Sequence, residues 1–312
     1  VHAIITGDGI DTIQVARQGD ALSGSTISGL AMPLGQEPYS SLNDHGQISY
    51  RAALANGINM VVRWTPDLYW RTESPGHWND GMNWTLSLNP AHVHNVFVAP
   101  GGTGGHVNVN TSGATVRSLT VGGSSRPATL QFSPGSTLSA AQGITINSNG
   151  RIRMFDGTLI TETAITNAGT LEMTGGSNLI RGDLFNTGTV QALNGSNVTF
   201  DGTVVQNGVL NVAKTASTTS TATILGDFSG SGGFIGGGDV FVYGGLRPGN
   251  STASVLYDGN LFLEPIASTF IELGGLNLGQ FDQMLVTGNL SLSGNMFVDL
   301  INGHTLGYDQ SY

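Results

Sequence analysis

Hydrophobic positions in this chain come in short alternating runs. Thr12-Ile13-Gln14-Val15-Ala16-Arg17, Gln47-Ile48-Ser49-Tyr50-Arg51-Ala52 and Met60-Val61-Val62-Arg63-Trp64 place apolar residues at nearly every second position between turn-forming residues. That spacing predicts half-buried strands. Residues 1–68 therefore read as a small antiparallel β unit. Asn43, Asp44 and Gly46 specify one of its turns, because Asn and Asp bond their own backbone and glycine accepts a left-handed conformation. So small a unit buries little surface alone, so it is expected to pack on the next segment or on another molecule.

Farther along, the alternation becomes periodic. Asn149-Gly150, Asn167-Ala168-Gly169, Asn186-Thr187-Gly188 and Asn207-Gly208 each precede a strand-like run, with the glycines 19, 19 and 20 residues apart. A period near 20 built from short strands predicts a solenoid. Each coil reads as about three strands, for example Thr170-Leu171-Glu172-Met173, Asn178-Leu179-Ile180-Arg181 and Asp183-Leu184-Phe185-Asn186. The once-per-coil Asn is expected to bond across rungs as a ladder. At about 4.8 Å per rung, eight or nine coils over residues 100 to 265 make a rod on the order of 40 Å long. Residues 69–123 read as a Trp-rich cap with the first coils, 124–265 as the coils proper, and 266–312 as a terminal β module. The fold class expected is all-β, a parallel β-helix with a small N-terminal antiparallel unit.

Composition narrows the function. Only 10% of residues are charged, Gly occupies 47 positions, and one lysine, Lys214, stands among 312 residues with a formal charge of −10. The ten arginines are scattered, which excludes the clustered cations a nucleic-acid partner requires. The lack of cysteine removes disulfides, thiolate metal sites and a cysteine nucleophile together. No apolar run is long enough for a membrane-spanning helix. A start at Val1 suggests a removed signal peptide, and the expected location is extracellular or at the cell surface.

Three segments resemble exported bacterial proteins. Ser41 to Leu54 is similar to an SLND-x-GQ-x-x-(F/Y)-RA-x-L blade-like repeat, present in one copy. Trp70, Trp78-Asn79-Asp80, Asn83-Trp84 and Pro90, with the strands that follow, resemble the start of autotransporter-like passenger modules. Leu246-Arg247-Pro248-Gly249-Asn250-Ser251, Ile271-Glu272-Leu273-Gly274-Gly275, Phe281-Asp282-Gln283-Met284-Leu285-Val286-Thr287-Gly288 and Phe297-Val298-Asp299-Leu300-Ile301-Asn302-Gly303 are similar to the end of such passenger regions. The resemblance implies a right-handed β-helix displayed beyond the cell surface. In those proteins the chain continues, so Tyr312 suggests a missing anchor, a processed end or disorder.

Candidate chemistry is thin. Asp183 and Asp201 lie nearly one coil apart and could form a glycosidase-like pair. His92 and His94 share a face if extended, with His106 on a nearby strand, a set suited to zinc or copper. Gly7-Asp8-Gly9-Ile10-Asp11 lacks the full oxygen set of a calcium loop. The glycines of Gly230 to Gly245 read as turns, and Lys214 to Thr223 as a polar loop or strand. Trp70, Trp78 and Trp84 suit a hydrophobic end cap, or else a sugar-stacking platform. Asn83, Asn110, Asn194, Asn197, Asn250 and Asn289 match the glycosylation sequon. No catalytic residue, cofactor or metal ligand is assigned. The function expected is a non-enzymatic structural protein that self-associates as a fibre subunit or adhesive stalk; the alternative is a carbohydrate-binding or carbohydrate-cleaving β-helix.

Overall fold

The computed structural model describes residues 2–32, 41–98, 105–123 and 126–307. Tyr312 lies outside them. The protein is nearly all β, 57% strand and 2% helix, with parallel sheets wound into a solenoid of about eight turns beside a small antiparallel unit.

Three faces make the solenoid. The first carries Gly105–Val109, Ala128–Phe132, Gly150–Met154, Thr170–Thr174, Thr189–Leu193 and Val209–Val212, paired in parallel. The second runs from Ala114–Val116 through Thr137–Ala140, Asn197–Asp201 and Thr221–Ile224 to Asn260–Leu263. The third runs from Leu68–Tyr69 and Asn95–Val98 through Val204–Gln206 and Gly245–Pro248 to Asn295–Leu300. Residues 266–300 thus continue the same winding, with Ser268–Leu273 in register with Asn295–Leu300. The Gly230–Gly245 stretch, expected as turns, also contains the strand Asp239–Val242 of the second face.

Alternation accounts for the core. In Thr189–Leu193, Val190 and Ala192 point inward while Thr189, Gln191 and Leu193 stay at the surface. One inward row thus runs Val107, Leu130, Ile152, Leu171, Val190, Leu210, in register from rung to rung. Truncating any one to Ala costs about 2–4 kcal/mol, because neighbours clamped by their own rungs close the cavity poorly.

The corners explain the glycine content. Gly169, Gly188, Gly208 and Gly232 form one column, in which a Cβ on Gly188 would lie 2.3 Å from the Gly169 oxygen and one on Gly208 2.2 Å from the Gly188 oxygen. Gly182, Gly202, Gly226 and Gly244 form a second, where a Cβ on Gly226 would lie 2.4 Å from the Gly202 oxygen. The constraint at Gly188, Gly208, Gly202 and Gly226 is therefore the close approach of the next rung's backbone.

An amide ladder does form through two of the four motif asparagines, Asn167 and Asn186, and is continued by Gln206 rather than Asn207. Asn167, Asn186 and Gln206, all buried, stack on the third face, with Asn167 Nδ2 donating to Asn186 Oδ1 and Asn186 Nδ2 to Gln206 Oε1, each at 2.7 Å. Asn149 and Asn207 stay outside, where Asn207 accepts from the Ser231 N–H at 3.2 Å. They immediately precede their glycines, whereas Asn167, Asn186 and Gln206 stand two residues before theirs and point inward.

The N-terminal unit comprises the hairpin Ala3–Gly7 and Thr12–Arg17 and a four-stranded sheet ending in Ile48–Leu54 and Asn59–Trp64. Its own small core centres on Ile27, Ile48, Tyr50, Ala52 and Leu54.

Candidate functional site

Trp70, Trp78 and Trp84 are 2%, 1% and 0% exposed and belong to the solenoid core. Trp84 meets both others edge-on, at ring-centroid distances of 5.0 Å from Trp70 and 5.2 Å from Trp78, and its indole N–H donates to the Trp78 carbonyl at 2.9 Å. So buried, they plug the coil interior, and no ring is open for a sugar to stack on.

The N-terminal unit closes over this plug at two points. Arg71 reaches Asp8 at 3.1 Å and Asp11 at 2.7 Å, while the Ser87 hydroxyl donates to Asp8 at 2.6 Å. The Gly7–Asp11 loop is thus an arginine clamp. The Ser87 hydroxyl, then the Asp11 and Ile10 backbone N–H groups, hold the Asp8 carboxyl well below the usual carboxylate range. The second point is His94, fully buried, whose Nε2 lies 2.7 Å from the His45 carbonyl oxygen. A carbonyl only accepts, so Nε2 carries the proton, and Nδ1 accepts the Ala91 N–H at 3.0 Å. Burial pulls the His94 pKa below its ordinary value, the hydrogen bond to the His45 carbonyl and the Asp67 charge opposing it and like charge on His45 and His92 adding to it. Beside this joint Gly46, at φ +68, leaves no room for a side chain: a Cβ there would sit 2.4 Å from Leu88 Cδ1.

The candidate three-histidine set is not assembled. His45, not His106, approaches the others, at centroid distances of 5.6 Å from His92 and 6.1 Å from His94, and His106 lies on the first face beside Thr129. Among the described residues no group of three or more potential ligands converges on a metal position. Asp183 and Asp201 are separately engaged: Asp183 accepts the Thr203 N–H at 2.9 Å and Asp201 pairs with Arg181 at 2.9 Å.

Compared with family models, curated proteins and solved structures, the chain matches none.

Two of the surface clefts place an arginine beside a phenylalanine. One, of about 230 Å³, lies near the last rungs between Arg247, Phe270, Glu272, Asp282 and Asp299. Arg247 covers the Phe270 ring at 3.5 Å, and Phe297 stacks on that ring at 5.1 Å, so stacked neighbours occupy Phe270. Asp282 is consumed by the fold, accepting N–H groups of Ala253 at 2.9 Å and Glu272 at 2.8 Å, while burial pushes its carboxyl above the usual range. The other, of about 330 Å³, lies where the first face turns into the second and contains Phe155 and Arg153. Motif reading missed Arg71, His45, Phe155 and Arg153. A signal for Arg153 was its pairing one coil before Glu172; Arg71 and His45 carry no local pattern.

Proposed function

We propose that the protein is a non-enzymatic structural subunit of an extracellular or cell-surface fibre or stalk, one that associates with copies of itself. The observation carrying this reading is that ion pairs link neighbouring rungs, while an arginine clamp and a buried histidine fix the cap. Arg181 and Asp201 join neighbouring rungs, Arg151 and Arg153 both pair with Glu172, and Asp8, Asp11 and His94 fix the N-terminal unit. With the interior amide ladder and the glycine columns, these give a stiff rod closed at its Trp end.

Self-association draws on an open strand edge. Asn59–Trp64 is the last strand of its sheet and pairs on one side only among the described residues. Val61 on it is 80% exposed. A natural edge of this kind is normally blunted by lysine or proline, and this strand has neither. Sedimentation velocity at micromolar concentration tests the reading: oligomers or polymers are expected, and a strictly monomeric species overturns it. Val61→Lys should weaken the association while leaving the fold intact.

A further inference from the structure

We infer that the cleft around Phe155 and Arg153 binds a carboxylate-bearing pyranose of an acidic polysaccharide. Phe155 follows the strand Gly150–Met154 and is 49% exposed, although it sits directly after core residue Met154. Alternation along the strand turns it outward. A Cβ on Gly175 would lie 2.9 Å from Phe155 Cε2, so the ring rests on the Gly175 backbone with its remaining surface in solvent. An aromatic ring propped outward beside polar groups suits the apolar C–H side of a sugar ring.

Charge selects the kind of sugar. Arg151 and Arg153 both pair with the buried carboxylate of Glu172, Arg153 through Nε at 2.8 Å, and each arginine side chain stays 45% exposed. Two guanidinium groups thus face the one carboxylate of Glu172, in a chain whose formal charge is −10. Arg153 lines the cleft beside Phe155 with its side chain 45% exposed, and a guanidinium recognises a carboxylate in a planar fork. Gln131, Ser133 and Thr174 line the same cleft and supply donors and acceptors for hydroxyls. This inference holds whether or not the chain self-associates.

The test is isothermal titration of the protein with an oligogalacturonide and with a neutral malto-oligosaccharide, at low and high salt. The acidic sugar should bind at least about tenfold more tightly, a difference of about 1.4 kcal/mol, and the difference should shrink with salt. Phe155→Ala should weaken both sugars, Phe155→Trp should retain them, and Arg153→Gln should abolish the preference for the acidic one. Circular dichroism establishes that each variant is folded. Absence of binding by the folded parent, equal binding of the two sugars, or binding unchanged in Phe155→Ala and Arg153→Gln overturns the inference.

Discussion

The side-chain amide of Asn167 donates to that of Asn186 one rung along, at 2.7 Å, and both side chains are sealed inside the solenoid. Asn186 is the middle member, accepting from Asn167 and donating to Gln206. Asn186→Ala leaves a donor below and an acceptor above unsatisfied in a dry interior, at a cost of about 2–4 kcal/mol. Asn207→Ala, one residue beyond the ladder and exposed, should cost within about 0.5 kcal/mol. Urea denaturation of the two variants measures the contrast.

Backbone crowding at the corners gives a second prediction. Gly188→Ala forces a Cβ to 2.3 Å from the Gly169 oxygen, which only movement of a rung can relieve. The expected loss is about 1–3 kcal/mol, as for other overpacked sites. Gly113→Ala meets nothing within 4 Å and should be near neutral. Thermal unfolding of the pair checks this.

The two attachments of the N-terminal unit should differ in their sensitivity to acid. His94 is neutral when docked, with its pKa pulled below the ordinary value, so an undocked His94 binds a proton more readily. Docking through His94 is therefore complete above about pH 6.5 and weakens as pH falls below it, by up to about tenfold per pH unit until the docked pKa is reached. Protection factors of the amides around His45 and Ala91, corrected for the intrinsic exchange rate at each pH, should fall as pH drops from about 6.5 to 5. His94→Gln should lose that pH dependence.

The arginine clamp should persist through the same range. With the Asp8 carboxyl well below the usual range, its pairing with Arg71 outlasts the His94 contact on acidification. Arg71→Met removes both ion pairs at every pH, leaving Asp8 to the Ser87 hydroxyl and loop N–H groups and Asp11 to the Leu86 N–H. Limited proteolysis within residues 2–64 should then proceed faster than in the parent, while the solenoid resists cleavage.

Much of the fold was legible because it is local. Alternation at Thr189-Val190-Gln191-Ala192 marks inward and outward positions directly, and glycines every 19 or 20 residues reveal the winding. The phase of the amide ladder was not legible. Whether Asn207 or Gln206 turns inward depends on corner geometry one residue away, and a single-residue slip exchanges inside for outside. Sites fared worse: the joint between His94 and His45 spans 49 residues of chain, and the Arg71–Asp8 contact spans 63. Contacts of that range leave no periodic trace. The tryptophans were recognisable as an end plug, but only burial decides against a binding platform.

The glycine columns also govern how such a chain can change length in evolution. Because each corner glycine lies under the backbone of the next, inserting or deleting part of a coil would set a side chain against a carbonyl, whereas duplicating a whole coil repeats an arrangement that already fits. Extra residues are accommodated where a segment swings clear of the columns, as Thr215–Thr218 does between the paired Lys214 and Thr219. Rods of different reach can therefore arise from one sequence by copying whole turns.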